Sequence, residues 1–172
     1  GEGHPEGEGH AEGPGSAAKP VAWGAVSHRD FFNSKRPVND VKDMVGLKVR
    51  VPKNEVMIQT FRAFGAEPIP LAWSETPAAL QTGAVDGSDN GTSVIKSMKF
   101  YEFSKHLAIL EHFAGFGPLL ASPRFMGRLS PEQQRTLLQC GKEAGQHQRS
   151  VVEAEVENVR KFLGDNGMKT TR

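Results

Sequence analysis

This 172-residue sequence has a single cysteine, no long hydrophobic run and no basic stripe. Cys140 is the only cysteine, which excludes an intramolecular disulfide framework and a cysteine-based zinc site. No apolar run approaches the roughly 18 residues that a membrane-spanning helix needs, and no signal-peptide pattern is present. The net charge is only +1, and the dispersed lysines and arginines argue against nucleic acid as a partner.

Motifs for catalysis and metal binding are missing as well. No G-x-S-x-G or other nucleophile motif occurs, and the six histidines are scattered. Residues 86–91 imitate the first half of a calcium-binding loop, but Ser97 stands where that loop needs a glutamate. We therefore predict that the protein is not an enzyme and has no metal site, catalytic residue or cofactor.

The first residues have a composition of their own. Residues 1–18 are mainly Gly, Glu, His, Pro and Ala without apolar periodicity, and such a segment cannot repay the entropy cost of ordering. We predict a disordered tail over residues 1–19. The remaining residues, 20–172, are predicted to form one domain with a moderate core.

A strand, helix, strand unit is predicted from residue 47 onward. Residues 47–51 alternate apolar and basic side chains, the period of a half-buried strand, so Arg50 should point away from the face that buries the valines. Asn54 is placed to cap a helix, and Gly65 to end it. Residues 66–73 are predicted to form a second strand, parallel to the first because the crossover is right-handed. These features favour the α/β class.

Residues 71–91, LAWSETPAALQTGAVDGSDNG, combine several signals in a short run. Trp73 is predicted to end the second strand, Ser74 to cap the next helix and Gly83 to end it. Polar groups at the ends of rigid elements commonly form binding sites. The turn after this helix is predicted to hold three of them, Asp86, Asp89 and Asn90.

Less regular patterns lie on either side. Residues 23–38 suit an extended or looped piece that ends near a proline. Residues 92–103 are predicted to be helical. Residues 107–122 form a mostly apolar run, which predicts a buried strand broken near Gly115 and Gly117.

The clearest helix signal comes late in the chain. Ser130 is followed by a proline at the first helical position and by Gln133 at the third, the pattern of a capping box. A long helix with one apolar face is predicted to follow. It should end at Gly164 or at residues 166–167.

Two residues of these elements could contact a ligand. Arg50 carries a planar guanidinium that can hold a carboxylate through two parallel hydrogen bonds, although the residue by itself favours a structural or exposed role. Trp73 could belong to the core or form the wall of a ligand pocket. The residues alone therefore predict an α/β domain with a possible anion site.

Three blocks of the sequence carry a resemblance to a known family. They are NSKRPVNDVKDMVGLKVRVPKN, then AFGAEPIPLAWSETPAALQTGAVDGSDNG, then KFYEFSKHLAILEH with SPEQQRTLLQCGKEAG behind it. In this order and spacing they closely resemble the solute-binding proteins of tripartite ATP-independent periplasmic (TRAP) transporters, the DctP-like family. The resemblance covers residues 23–168.

The resemblance implies roles for four residues. Arg50 matches the arginine of the G-L-K-x-R-V-P strand that grips the ligand carboxylate, and Arg29 matches a second arginine that often assists it. Trp73 matches an aromatic pocket wall. Asn90 matches an asparagine that commonly hydrogen-bonds the ligand. A carboxylate is thereby implied, while a C4-dicarboxylate, a keto acid, a sugar acid and an aromatic acid all stay open.

The resemblance also implies a function and a location. Members are two-lobed periplasmic receptors that close around an organic acid and deliver it to a membrane permease driven by an ion gradient. Their amino-terminal lobe is replaced here by the Gly/Glu/His-rich tail, so we expect an incomplete fold of the periplasmic binding-protein type II kind. It should comprise one lobe, parts of the hinge and a long carboxy-terminal helix. The alternative is a truncated remnant or interaction module that keeps the fold, self-associates through exposed strand edges and binds no ligand.

Overall fold

A mixed β-sheet organises the protein, and a computed structural model describes residues 18–172 of it, except for the side chains of residues 25 and 26. The spatial order of the strands is β3-β2-β4-β1-β5-β6. Strand β1 runs antiparallel to β4 and β5, β2 runs parallel to β3 and β4, and β5 runs parallel to β6. In chain order the strands are β1 (Lys19–Asn33), β2 (Lys48–Val51), β3 (Glu67–Pro70), β4 (Gly87–Asn90), β5 (His106–Ala121) and β6 (Lys169–Thr171).

The helices begin and end largely where their caps predict. Asn54 accepts a hydrogen bond from the N–H of Met57 at the start of α1, and Gly83 ends α2 in a left-handed conformation. Ser130 and Gln133 cap each other's backbone at the start of α5. These three predictions are confirmed. The helices are α1 (Glu55–Ala63), α2 (Thr76–Thr82), α3 (Thr92–Ser97), α4 (Pro123–Met126) and α5 (Pro131–Asp165), with 3₁₀ turns at Val41–Met44, Trp73–Glu75 and Phe100–Glu102.

Two apolar cores cover the two faces of the sheet. Neighbouring residues of a strand point to opposite faces, so Phe31 and Phe32 enter different cores. The Phe31 face packs against α1 through Phe61. The Phe32 face packs against α2, α3 and the last turns of α5, which contributes Leu163.

Strands β1 and β5 extend beyond the other strands as a two-stranded ribbon, in which residues 19–29 pair with residues 113–121. The first half of α5 lies directly on this ribbon. A Cβ at Gly141 would lie 2.7 Å from the carbonyl oxygen of Val21, so only glycine permits this approach without a shift. The outer part of the ribbon is exposed, and Phe116 keeps 70% of its surface accessible.

Several predicted elements differ from the structure around residues 66–90. The second strand ends at Pro70, because Trp73 already opens a 3₁₀ turn whose Glu75 carboxylate accepts a hydrogen bond from the N–H of Ala72. The prediction that Ser74 caps the next helix is therefore wrong. Ser74 lies inside the 3₁₀ turn, and the N-cap position of α2 belongs to Glu75.

The predicted turn after α2 is shorter than expected. Asp86 lies in it, but Asp89 and Asn90 belong to β4. The Asp86 backbone N–H donates to the carbonyl oxygen of Lys48 (2.7 Å) and its carboxylate accepts from the N–H of Lys48 (2.9 Å), so the chain joins β2 at once. Gly87 allows β4 to lie close to β1, since a Cβ there would lie 2.1 Å from the carbonyl oxygen of Phe32.

The apolar run at 107–122 and the helix at 92–103 also need correction. The run is one strand without a break at its glycines, because β1 pairs with residues 113–121, and this outer half is exposed rather than buried. The helix ends at Ser97, since Lys99 adopts a left-handed conformation with a φ of 55°. Residues 23–33 belong to β1, whose pairing with β5 is irregular between Ala25 and Ser27 and between Arg29 and Phe31. The predicted tail lies outside the described residues, except for residues 18 and 19.

Candidate functional site

The candidate site lies at one edge of the sheet. The parallel strands β2, β3 and β4 all end at this edge, and the outside of the carboxyl ends of such strands is where open α/β sheets bind ligands. Strand β1 runs in the opposite direction, so its residues before Asp30 emerge at the same edge. The fold thus brings Arg29, Arg50, Trp73 and Asn90 to one region.

Arg50 is a buried cation without an acid partner. Its surface is 3% exposed, and its Nε and Nη2 both donate to the carbonyl oxygen of Leu71, at 3.1 and 2.9 Å. Among residues 18–172 no carboxylate lies within 4.0 Å of its nitrogens, and Nη1 has no hydrogen bond. Buried charges are normally paired. Arg50 therefore keeps the capacity to bind an anion.

Trp73 lies against the Arg50 guanidinium. The Cζ of Arg50 is 5.5 Å from the centre of the indole ring, a cation–π contact that holds the guanidinium in place. The Phe100 ring supports the indole from the other side, edge to face, with 5.9 Å between ring centres. Trp73 is 42% exposed. It thus presents an apolar ring face beside the cation, and its role as a pocket wall stays a prediction.

Asn90 lies on the same face of the sheet as Arg50. Arg50 pairs in register with Ser88, and Asn90 is two residues further along β4, so the period of a strand places both on one face. The Asn90 side-chain oxygen accepts a hydrogen bond from the N–H of Gly91 at 2.9 Å. Its amide nitrogen makes no hydrogen bond in the described part of the chain and is a donor available to a ligand.

Arg29 is engaged with Asp89 on the opposite face of β4. Its Nε donates to Asp89 Oδ2 at 2.6 Å, and its Nη2 donates to Oδ1 at 3.1 Å and to the backbone oxygen at 2.6 Å. Phe31 and Asp89 are register partners, so this ion pair belongs to the Phe31 side. The structure therefore groups Arg50, Trp73 and Asn90, and places Arg29 beside them in a pair of its own.

His112 completes the Asp89 cluster. Its Nε2 is 3.2 Å from Asp89 Oδ2, and since an ionised carboxylate only accepts, Nε2 donates in this contact. The imidazole is wedged between Phe61, Phe64 and Phe113. Its buried Nδ1 has no partner among residues 18–172.

The two arginines and Asp89 influence each other electrostatically. Burial alone would raise the pKa of Asp89, but the hydrogen bonds from His112 and Arg29 hold that pKa below its usual value. Burial lowers the pKa of Arg50, while the charge of Asp89 raises it and that of Arg29 lowers it. An arginine stays protonated in any case. Asp89 is thus compensated by Arg29, and the positive charge of Arg50 remains for a ligand.

Sequence reasoning assigned no partner to Asp89 and did not identify His112. Asp89 was predicted to lie in a turn, although alternation within the short strand β4 could have placed it on the inner face. No sequence signal indicates His112, because an irregular stretch of β5 brings it to Asp89.

Metal binding and membrane insertion find no support in the described residues. Within residues 18–172 no group of three or more His, Cys, Asp and Glu side chains could hold a metal ion. In the same range no helix is both long and apolar enough to cross a bilayer.

The fold is that of one half of an α/β binding protein, and a buried arginine that has no acid partner among residues 18–172 lies at the edge of its sheet. The profile of the bacterial extracellular solute-binding proteins, family 7 (DctP), matches residues 15–172, and the chain belongs to this family. The predicted class is thereby confirmed. Because the family consists of periplasmic solute-binding proteins, the predictions of a periplasmic location and of a protein that is not an enzyme are confirmed with it.

Curated relatives are about one-third identical to this chain over the aligned residues. The 2,3-diketo-L-gulonate-binding periplasmic protein YiaO of Escherichia coli is 33% identical over 154 residues, which are 88% of this chain and 46% of that protein. The sialic acid-binding periplasmic protein SiaP of Vibrio cholerae is 33% identical over 138 residues, or 80% and 43% of the two chains. The chain spans about half the length of the curated relatives it matches.

Solved structures agree with this assignment. A TRAP periplasmic solute-binding protein from a Polaromonas species, bound to D-erythronate, superposes with a TM-score of 0.84 at 33% identity over 91% of this chain and 52% of that one. A TRAP protein from Roseobacter denitrificans with bound β-D-glucuronate gives 0.84 at 26% identity, over 90% and 51%. The predicted fold, one incomplete lobe of the periplasmic binding-protein kind, is confirmed. The division at residue 19 stays a prediction.

Proposed function

We propose that this protein is a receptor for the carboxylate group of a sugar acid, which it delivers to a TRAP-type membrane permease. The observation that carries the proposal is Arg50, a buried guanidinium without an acid partner at the carboxyl ends of the parallel strands. A carboxylate is the ligand that a planar guanidinium fork fits best.

The surroundings of Arg50 favour a hydroxylated acid over a purely apolar one. Trp73 offers a ring face that suits the C–H groups of a sugar, and Asn90 offers amide donors for its hydroxyl oxygens. Solved relatives contain β-D-glucuronate, β-D-galacturonate and D-erythronate. These are acids of the same chemical kind.

Arg29 has a supporting role in this proposal. Asp89 orients its guanidinium through two oxygens, while the side chain stays 24% exposed at the ligand edge. A second positive charge near Arg50 attracts the same carboxylate. Because Asp89 neutralises part of that charge, we assign the larger share of the binding free energy to Arg50.

This half of the site should bind weakly by itself. Trp73 is 42% exposed and covers one side only, so a carboxylate bound to the buried Arg50 would stay open to water. An ion pair that water screens contributes no more than about 1 kcal/mol. We expect a Kd of about 1 mM or weaker, which corresponds to a binding free energy of about −4 kcal/mol.

A titration followed by NMR detects binding of this strength. D-glucuronate should shift the Arg50 Nε–H and Trp73 indole N–H resonances in a saturable way, whereas D-glucose, which has no carboxylate, should not. Arg50→Ala should abolish the shifts, and Arg50→Lys should weaken them because a lysine cannot hold both carboxylate oxygens. The matched control is Arg62→Lys, at an exposed arginine of α1. Equal shifts with both sugars, or unchanged shifts in Arg50→Ala, would overturn the proposal.

The alternative of a self-associating module is supported by the outer ribbon. Trp23, Phe116, Leu119 and Leu120 are all about half exposed or more, and exposed apolar side chains concentrated on one element commonly mark an interaction site. The terminal strands β3 and β6 are short and are poor templates for edge pairing. In the ribbon, however, the outer edges of residues 19–29 and 113–121 pair with no other strand of the described chain. Sedimentation at increasing protein concentration distinguishes the two functions. If oligomers form and D-glucuronate does not change their fraction, the module is favoured. If the protein stays monomeric and binds D-glucuronate, the receptor is favoured.

A further inference from the structure

Strand β5 contains an irregular stretch opposite Asp30. Arg29 pairs with Phe113, but Phe31, only two residues later, pairs with Ala108. Residues 109–112 therefore bulge out of the ladder. A bulge redirects side chains, and here it directs His112 to Asp89.

The bulge contains a backbone conformation that needs support. Glu111 has a φ of 48°, in the left-handed region, which costs a residue with a side chain about 1 kcal/mol or more. Such conformations persist where surrounding contacts impose them.

Arg160 of α5 supplies these contacts together with Asp30. Its Nη2 donates to Glu111 Oε1 at 2.8 Å and to Asp30 Oδ2 at 3.3 Å. Asp30 Oδ1 in turn accepts the backbone N–H of Glu111 at 3.2 Å. One guanidinium thus holds both the side chain of Glu111 and the carboxylate that binds its backbone.

The neighbours of these residues belong to the candidate site. Asp30 follows Arg29 and is the register partner of Asn90, and Glu111 precedes His112. Asp30 and Glu111 contact Arg160 of α5 on one side of the sheet, whereas His112 packs against Phe61 of α1 on the other. The contacts of Arg160 on one side therefore fix the backbone from which Arg29 and His112 reach Asp89 on the other.

We infer that Arg160 is a positioning residue for the carboxylate site: by holding Asp30 and the Glu111 bulge, it keeps His112 on Asp89 and so orients Arg29. The assignment of this edge as a carboxylate site rests on the proposed function. The contacts that lead from Arg160 to His112 are independent of it.

A simpler role for Arg160 is to neutralise Asp30. Burial raises the pKa of Asp30, although the Glu111 N–H and the charge of Arg160 lower it, so a nearby cation is needed whatever happens at the bulge. A lysine would supply that charge but lacks the planar fork that reaches both carboxylates. Arg160→Lys therefore separates neutralisation from positioning.

The experiment observes His112 directly by NMR of ¹⁵N-labelled protein. In the wild type, Nε2 should carry the proton and exchange slowly because it donates to Asp89. Arg160→Lys and Arg160→Gln should lose this signature and shift the Arg29 Nε–H resonance. Lys161→Gln is the matched control, because Lys161 is the exposed neighbour of Arg160 and pairs only with Asp165 in the described part of the chain. It should preserve both signals. Thermal unfolding verifies that each variant is folded, and Arg160→Lys retains the charge that Asp30 needs if Arg160→Gln does not fold.

The outcomes separate this inference from the proposed function. If the His112 signature survives in folded Arg160→Lys, Arg160 only neutralises Asp30 and the inference is overturned, even when D-glucuronate binds. If the signature is lost and D-glucuronate fails to bind the wild type, the proposed function fails while the positioning role of Arg160 stands. If the wild type binds D-glucuronate, Arg160→Lys should bind it more weakly than Lys161→Gln does.

Discussion

Replacing Asp89 by asparagine should destabilise the protein at neutral pH and have a smaller effect in acid. The Asp89 side chain is completely buried, and its two oxygens accept from three donors of Arg29 and His112. Asparagine keeps one oxygen and presents an NH₂ group in place of the other, so a donor would face a donor. The variant thus loses a charge-assisted bond and leaves a buried donor unpaired.

The size of the effect follows from these contacts. A hydrogen bond to a charged group contributes about 2 kcal/mol, and an unpaired buried polar group costs about 1 kcal/mol or more. Together they give about 3 kcal/mol, at the lower end of the range for breaking a buried ion pair. With a urea dependence of about 2 kcal/mol per molar, the unfolding midpoint should fall by about 1.5 M.

The pH dependence of the stability loss distinguishes the loss of the Asp89 charge from a loss of packing, which would not depend on pH. The pKa of Asp89 lies below its usual value, so its charge stabilises the folded state above the pKa of an unfolded aspartate, about 3.9. That stability is lost as the pH falls through the lower folded-state pKa. The difference between wild type and Asp89→Asn should therefore be largest near neutral pH and shrink below about pH 4.

Urea unfolding at neutral pH and near pH 3, followed by circular dichroism, measures both values. Asp165→Asn is the matched control, since Asp165 forms an exposed pair with Lys161, and its midpoint should equal that of the wild type. An Asp89→Asn protein as stable as wild type at neutral pH would refute the reasoning. So would a loss of stability that is the same at both pH values.

Two further changes test how the fold is held together. Gly87→Ala should shift β4 away from β1, because the new Cβ would lie 2.1 Å from the carbonyl oxygen of Phe32. The free energy of unfolding should fall by about 2 kcal/mol. A variant that melts at the wild-type temperature would contradict this. Ser130→Ala removes the cap of α5 and should lower the free energy of unfolding, measured in urea, by about 1 kcal/mol. The NMR shifts that D-glucuronate causes at Trp73 should stay unchanged. Altered shifts would show that the cap also acts on the site.

The sequence predicted those features that depend on neighbouring residues. Asn54 and Ser130 cap their helices because a short polar side chain bonds the backbone three residues later. Ser74 did not act in this way, since Glu75 bonds the backbone first. The glycines at 115 and 117 did not break β5, because pairing with β1 outweighs their weak strand preference.

For the candidate site, the sequence by itself determined the residues and only the tertiary structure decided their partners. Arg50, Trp73 and Asn90 were recognisable from motifs, and alternation placed Arg50 opposite the buried valines. The structure alone decided that Arg29 pairs with Asp89, 60 residues away, while Arg50 keeps no acid partner. The physical reason is that strand register and burial decide which charged side chains meet. Both depend on the pairing of strands that are distant in sequence, so no local pattern encodes them.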